Sequence, residues 1–152
     1  MSDTRKYDLP PFLEGTLSQE SYERWLRRKA QAHVKRDRNR GHGEAAAEGY
    51  RLAIHEAVLA SEGQDAYTGE KLAWKLISTY DNDHSKEHGG TYKKTLALLP
   101  TVDHVGKAQG LMEFAICGWQ THEAKGDLTL EAFSKLCVKV LAHQGYTVAK
   151  PS

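Results

Sequence analysis

The sequence predicts an α+β fold, and three observations carry that expectation. Apolar residues recur at three- and four-residue steps from Thr16 to about Gly41, and again from Glu44 to Ser61, the period of helices with one buried face. Two short apolar runs, Leu96 to Val102 and Phe114 to Cys117, have the length and flanking turns of strands. A further helical period follows Thr129. The 152 residues, 39% hydrophobic and 27% charged, suit one domain and are too apolar for wholesale disorder. No apolar run approaches the ~20 residues of a membrane span. The opening MSDTRKYDLPP lacks the apolar core of a secretory signal, so a soluble cytoplasmic protein is expected. Two cysteines, Cys117 and Cys137, make neither a disulfide framework nor a four-cysteine zinc site.

Each element has its own local reason. Residues 1–15 contain Pro10-Pro11 and no periodicity, which reads as an N-terminal arm. Thr16 and Gln19 have capping-box spacing at the start of the first helix. Tyr22, Trp25, Leu26, Lys29 or Ala30, and His33 form its inner stripe, and Gly41-His42-Gly43 ends it. The second helix buries Ala46, Tyr50, Ala53, Ile54, Ala57 and Val58, with Gly63 at its C-terminal cap. A turn follows at Asp65 to Gly69, then a short helix or buried irregular segment with Leu72, Leu76 and Ile77. Asp81 to Gly90 reads as a polar loop, and Gly106 to Gly110 as a turn between the strands. His122 to Gly126 forms one helical turn. The last helix presents Phe133, Leu136, Cys137, Val140 and Leu141 to the core, and Gly145 closes it. The expected organisation is an arm at 1–15, a basic helical segment at 16–62, and a core with a closing helix at 63–152.

The charge is unevenly placed. Arg24 to Arg40 holds eight basic residues against the single acid Asp37, a local +7, which leaves −6 for the rest of a chain whose total is +1. Glu20 and Glu23 can offset Arg24, Arg27 and Arg28, but only Asp37 offsets the stretch from Lys35 to Arg40. Such a concentration points to a polyanion, with Arg24, Arg28, Lys35, Arg36, Arg38 and Arg40 as phosphate-facing candidates.

The stretch LLPTVDHVGKAQGLMEFAICGWQTHEAKGDL, Leu98 to Leu128, carries the chemistry. Val102-Asp103-His104 ends a strand, a second strand follows, and His122 precedes Ala124-Lys125-Gly126-Asp127. This arrangement resembles the HNH (ββα-metal, His-Me finger) endonuclease family over roughly Asp65 to Tyr146. The resemblance implies an HNH-like ββα-metal finger at 63–152 on which the basic segment packs. It departs from many members in two places. Asp65-Ala66-Tyr67-Thr68 and Gly118-Trp119-Gln120-Thr121 stand where two CxxC pairs would hold a structural zinc, leaving Tyr67, Leu72, Trp74 and Trp119 to brace the finger by packing. The family's middle Asn falls near Glu113, and His122 replaces a ligand that is often Asn.

The resemblance implies a metal-dependent endonuclease that hydrolyses phosphodiester bonds in DNA. His104 would be the general base, the role an imidazole most often takes near neutral pH. Asp103 and His122 would hold a divalent metal, and Lys125 would contact a phosphate. Mg²⁺ or Mn²⁺ is expected, and the imidazole of His122 also admits Ni²⁺, Co²⁺ or Zn²⁺. Double-stranded DNA is the expected partner, with no membrane. Two alternatives remain: a catalytically weak nucleic-acid-binding module that uses the HNH-like fold as scaffold, and a protein whose basic helix meets an acidic protein surface. The remaining candidates are structural in this reading. His33 packs, His55 and His143 lie on helices among apolar neighbours, and Trp25 and Trp74 belong to the core. Cys117 and Cys137 are buried thiols, and His84 and His88 offer at most an adventitious metal site.

Overall fold

Ser18, rather than Thr16, opens the first helix, α1 (Gln19–Asn39), its Oγ accepting the Ser21 N–H at 3.1 Å. The computed structural model describes residues 6–41, 43, 45–79, 96–105 and 113–151. Gln19 forms no capping box. Its side chain accepts from the Leu9 N–H and donates to the Tyr7 carbonyl, both at 2.7 Å. Together with a 3-10 turn at Pro11–Leu13, these bonds draw the expected arm into the core, where Tyr7, Leu13 and Leu17 are buried. α1 buries the predicted stripe and continues it through Val34 and Asp37. Trp25 meets Trp74 edge-on, with ring centroids 5.5 Å apart.

The second helix, α2 (Ala47–Ser61), starts three residues later than its periodicity suggests and buries Tyr50, Ile54, His55 and Val58. Ala46 is exposed, while Ala53 and Ala57 are half-buried. Glu62 (φ 52°) and Gly63 (φ 89°) both adopt the left-handed conformation and stop the helix. A 3-10 turn at Trp74–Ser78 buries Trp74 and Ile77, and Trp74 Nε1 donates to the Gly63 carbonyl at 3.0 Å. The expected loops at Asp81 to Gly90 and Gly106 to Gly110 lie outside the described residues, as do His42 and Glu44.

Strand β1 (Pro100–His104) pairs antiparallel with β2 (Phe114–Gly118), Pro100 facing Gly118 and His104 facing Phe114. β1 begins later than expected because Leu96–Leu98 forms a turn, with the Leu99 N–H closing on the Leu96 carbonyl at 2.9 Å. Helix α3 (Trp119–Lys125) follows β2 without a linker and begins three residues before His122. Thr129 Oγ1 accepts the Ala132 N–H at 3.1 Å and opens α4 (Leu130–His143). Among the described residues the fold is therefore mixed helix and strand, with a small two-stranded sheet. No helix among the described residues is long and apolar enough to cross a membrane.

The brace between the turn and the sheet is a carboxylate. Asp65, 2% exposed, accepts the Tyr67 and Thr68 N–H groups through Oδ1, at 2.8 and 3.1 Å. Its Oδ2 accepts the Gly118 N–H at 2.9 Å and the Thr121 hydroxyl at 2.8 Å. The segments DAYT and GWQT are thus joined by hydrogen bonds, in addition to the packing of buried Leu72 and Trp74. The backbone passes close here: a Cβ on Gly118 would stand 2.7 Å from the Ala97 carbonyl oxygen.

The chain divides into two compact units, Met1–His122 and Glu123–Ser152, so residues 16–62 and the sheet share the first unit. The last helix, expected to close the core, lies in the second unit. α4 has no buried residue: Leu136, Val140 and Leu141 are exposed, and Cys137 is an exposed thiol where Cys117 is buried. Helical period decides which residues share a face, but not whether anything covers it.

Candidate active site

Asp103 and His104 are the last two residues of β1, so the pleat sends their side chains to opposite sides. Asp103 is 4% exposed. Its Oδ2 accepts a short hydrogen bond from the Tyr67 hydroxyl, and its Oδ1 lies 3.9 Å from His122 Nε2. Burial, reinforced by this bond to Asp103, pushes the Tyr67 hydroxyl well above its usual pKa, so Tyr67 stays protonated and keeps donating. His122 is the fourth residue of α3 and not its cap. The Asp65 clamp holds Tyr67 on one side and Thr121, the neighbour of His122, on the other. One buried carboxylate therefore sets the distance between the two elements that meet Asp103.

On the other side of β1, His104 stacks on Phe114 with centroids 5.1 Å apart and planes at 28°. Its Nδ1 lies 3.9 Å from Asp37 Oδ1. Asp37 is 4% exposed, and its Oδ2 accepts the Tyr50 hydroxyl at 2.5 Å. The His33 ring stands 6.2 Å from that of His104. Burial pulls His33 down to about 4, and the nearby cations Arg36 and Lys29 act in the same direction, so His33 is neutral at physiological pH. Lys29 reaches the same strand, donating from Nζ to Thr101 Oγ1 at 3.3 Å.

Arg24, Arg28, Lys35, Arg36, Arg38 and Arg40 are all exposed on α1 or at its cap, as their spacing predicts. Arg38 has a structural task as well: Nε and Nη2 donate to the Ala45 carbonyl at 3.0 and 2.8 Å, tying the end of α1 to the start of α2. Lys125 departs from expectation. It is 4% exposed, so its side chain does not lie on an accessible cationic surface. One turn past His122 in sequence is not the same as one turn towards solvent. Glu113 is exposed, and its backbone carbonyl accepts the Val105 N–H at 2.9 Å. The carboxylate facing His104 Nδ1 is that of Asp37. His55 is structural as expected, with Nδ1 2.6 Å from the Tyr22 hydroxyl, and His143 is exposed. His84 and His88 lie outside the described residues.

Among the described residues no group of three or more His, Cys, Asp or Glu side chains forms a metal cage. Asp103 and His122 nevertheless suit one divalent ion. Two cis ligands with bonds of ~2.1 Å stand ~3 Å apart, so the observed 3.9 Å requires closure by less than an ångström. A carboxylate with an imidazole is an oxygen–nitrogen donor set that admits Mn²⁺, Co²⁺, Ni²⁺ and Zn²⁺ beside Mg²⁺.

Three participants were not legible as site residues. Tyr67 reads as packing, Tyr50 as core, and Asp37 as a minor offset to the basic run. The available signal was Asp37 itself, a carboxylate four residues after His33 on an otherwise apolar stripe. Comparison with family models, with curated proteins and with solved structures returned no match.

Proposed function

We propose that this chain is a metal-dependent endonuclease of the HNH, ββα-metal type, hydrolysing phosphodiester bonds in DNA. The observation that carries the reading is the approach of Asp103 Oδ1 and His122 Nε2 to 3.9 Å, with His104 the next residue along β1 and α3 directly following β2. Asp103 and His122 would hold a divalent ion, which would supply positive charge to the attacked phosphate and the leaving oxygen.

The chain's own residues do the rest. Tyr67 orients Asp103, and Phe114 fixes the plane of His104. His104 takes a proton from water as the water oxygen bonds to phosphorus and the P–O3′ bond breaks. The products are a 5′-phosphate and a 3′-oxygen that acquires a proton from solvent. The exposed cations of α1 hold the DNA backbone through charge, largely without regard to sequence.

The test is incubation of the purified chain with supercoiled plasmid and a panel of Mg²⁺, Mn²⁺, Co²⁺, Ni²⁺ and Zn²⁺, with EDTA as control. Metal-dependent nicking or linearisation that His104→Ala abolishes, while DNA binding persists, is the expected outcome. Salt-sensitive DNA binding with no turnover under any metal would replace this reading with that of a binding module.

A further inference from the structure

We propose that Asp37 is the positioning residue for His104, held in place by Tyr50, so that α1 supplies part of the catalytic apparatus as well as the DNA-facing cations. The proposal rests on the reading of His104 as general base. Asp37 is the only acid between Arg24 and Arg40, yet it is buried while its cationic neighbours Arg36 and Arg38 are exposed. A carboxylate withdrawn from water needs partners, and charge balance on an exposed basic face would not require burial. Both of its oxygens are accounted for. Oδ2 accepts the Tyr50 hydroxyl at 2.5 Å, and Oδ1 faces His104 Nδ1 at 3.9 Å.

The second distance is that of an ion pair and not of a direct hydrogen bond, and it closes by a small rotation or through one water. The pairing has a chemical consequence. With Nδ1 directed at the carboxylate, the ring presents Nε2 as the nitrogen that accepts a proton from water. Phe114, stacked on the ring, and His33, neutral beside it, supply no competing charge. Asp37 also shares a helix with Arg24, Arg28 and Lys35, so DNA held on the outer face of α1 bears on the helix that positions the base.

The experiment combines plasmid-cleavage kinetics with ¹⁵N NMR of the histidine rings, on the full chain and on Asp37→Asn, Tyr50→Phe and His104→Ala. Asp37→Asn keeps an acceptor for Tyr50 but removes the charge. It is expected to lower kcat by about 10- to 100-fold with KM for DNA and the salt dependence of binding unchanged. The ¹⁵N shifts of His104 should move from the Nδ1–H tautomer towards a mixture. Tyr50→Phe should lower kcat by a few-fold in the same pattern, and it serves as the readout if Asp37→Asn does not fold. A wild-type kcat in the folded variant, or an unchanged His104 tautomer, overturns the assignment of Asp37 while an inactive His104→Ala leaves the base reading standing. Wild-type cleavage by His104→Ala, or no turnover in the unmodified chain, overturns the base reading and the role of Asp37 with it.

Discussion

Replacing Asp65 by Ala removes a clamp whose worth follows from its four hydrogen bonds. The Tyr67 and Thr68 N–H groups lie on a half-buried to exposed turn and regain water, at a cost of about 0.5–1 kcal/mol each. The Gly118 N–H is buried and regains nothing, which costs about 1–3 kcal/mol. The half-buried Thr121 hydroxyl loses a charged acceptor, at roughly 1 kcal/mol. The expected destabilisation is about 3–6 kcal/mol. All three tryptophans, Trp25, Trp74 and Trp119, lie in the unit Met1–His122, so their fluorescence reports its unfolding in urea. With a slope of about 2 kcal/mol/M, the midpoint should fall by about 1.5–3 M. Asp65→Asn should lose about 2 kcal/mol, since an amide offers one acceptor where the carboxylate offers two. In metal-free buffer a chelator should not shift the midpoint, because hydrogen bonds and not thiolate–metal bonds close the clamp. A drop of less than about 0.5 M for Asp65→Ala would refute the reasoning and return the brace to apolar packing.

Three further outcomes follow from the site and the basic helix. His122→Ala should abolish metal binding measured by calorimetry, whereas His122→Asn should retain it and shift preference towards Mg²⁺, an oxygen donor replacing imidazole. Arg24, Arg28 and Lys35 are the informative basic triple, because Arg38 also holds the Ala45 carbonyl; replacing all three by Ala should flatten the log–log salt slope of duplex binding by about two to three units. His33 is folded with a pKa of about 4 against an ordinary 6.5, so protons bind the unfolded chain more readily. Its contribution is fully present above about pH 6.5 and is lost as pH falls towards 4, by roughly 3 kcal/mol in all; His33→Gln should flatten urea midpoints across that window.

The sequence by itself determined the local elements and the chemistry carried by contiguous residues. Helical period fixed the buried stripe of α1, because side chains three and four apart must share a face. It also put Asp103 and His104 at the end of a strand and His122 on the following helix. Capping was decided by neighbours that compete for the same backbone donors: Ser18 took the role expected of Thr16, and Gln19 turned to Tyr7 and Leu9. Only the tertiary structure decided which distant groups meet. Asp37 and Tyr50 approach His104 because α1 and α2 pack against the sheet, and Tyr67 reaches Asp103 because Asp65 ties the turn to Gly118 and Thr121. Periodicity likewise gave α4 an apolar face and Lys125 a place one turn beyond His122, yet the first is exposed and the second buried. Period is a property of one segment, whereas burial and pairing depend on what the rest of the chain brings alongside it.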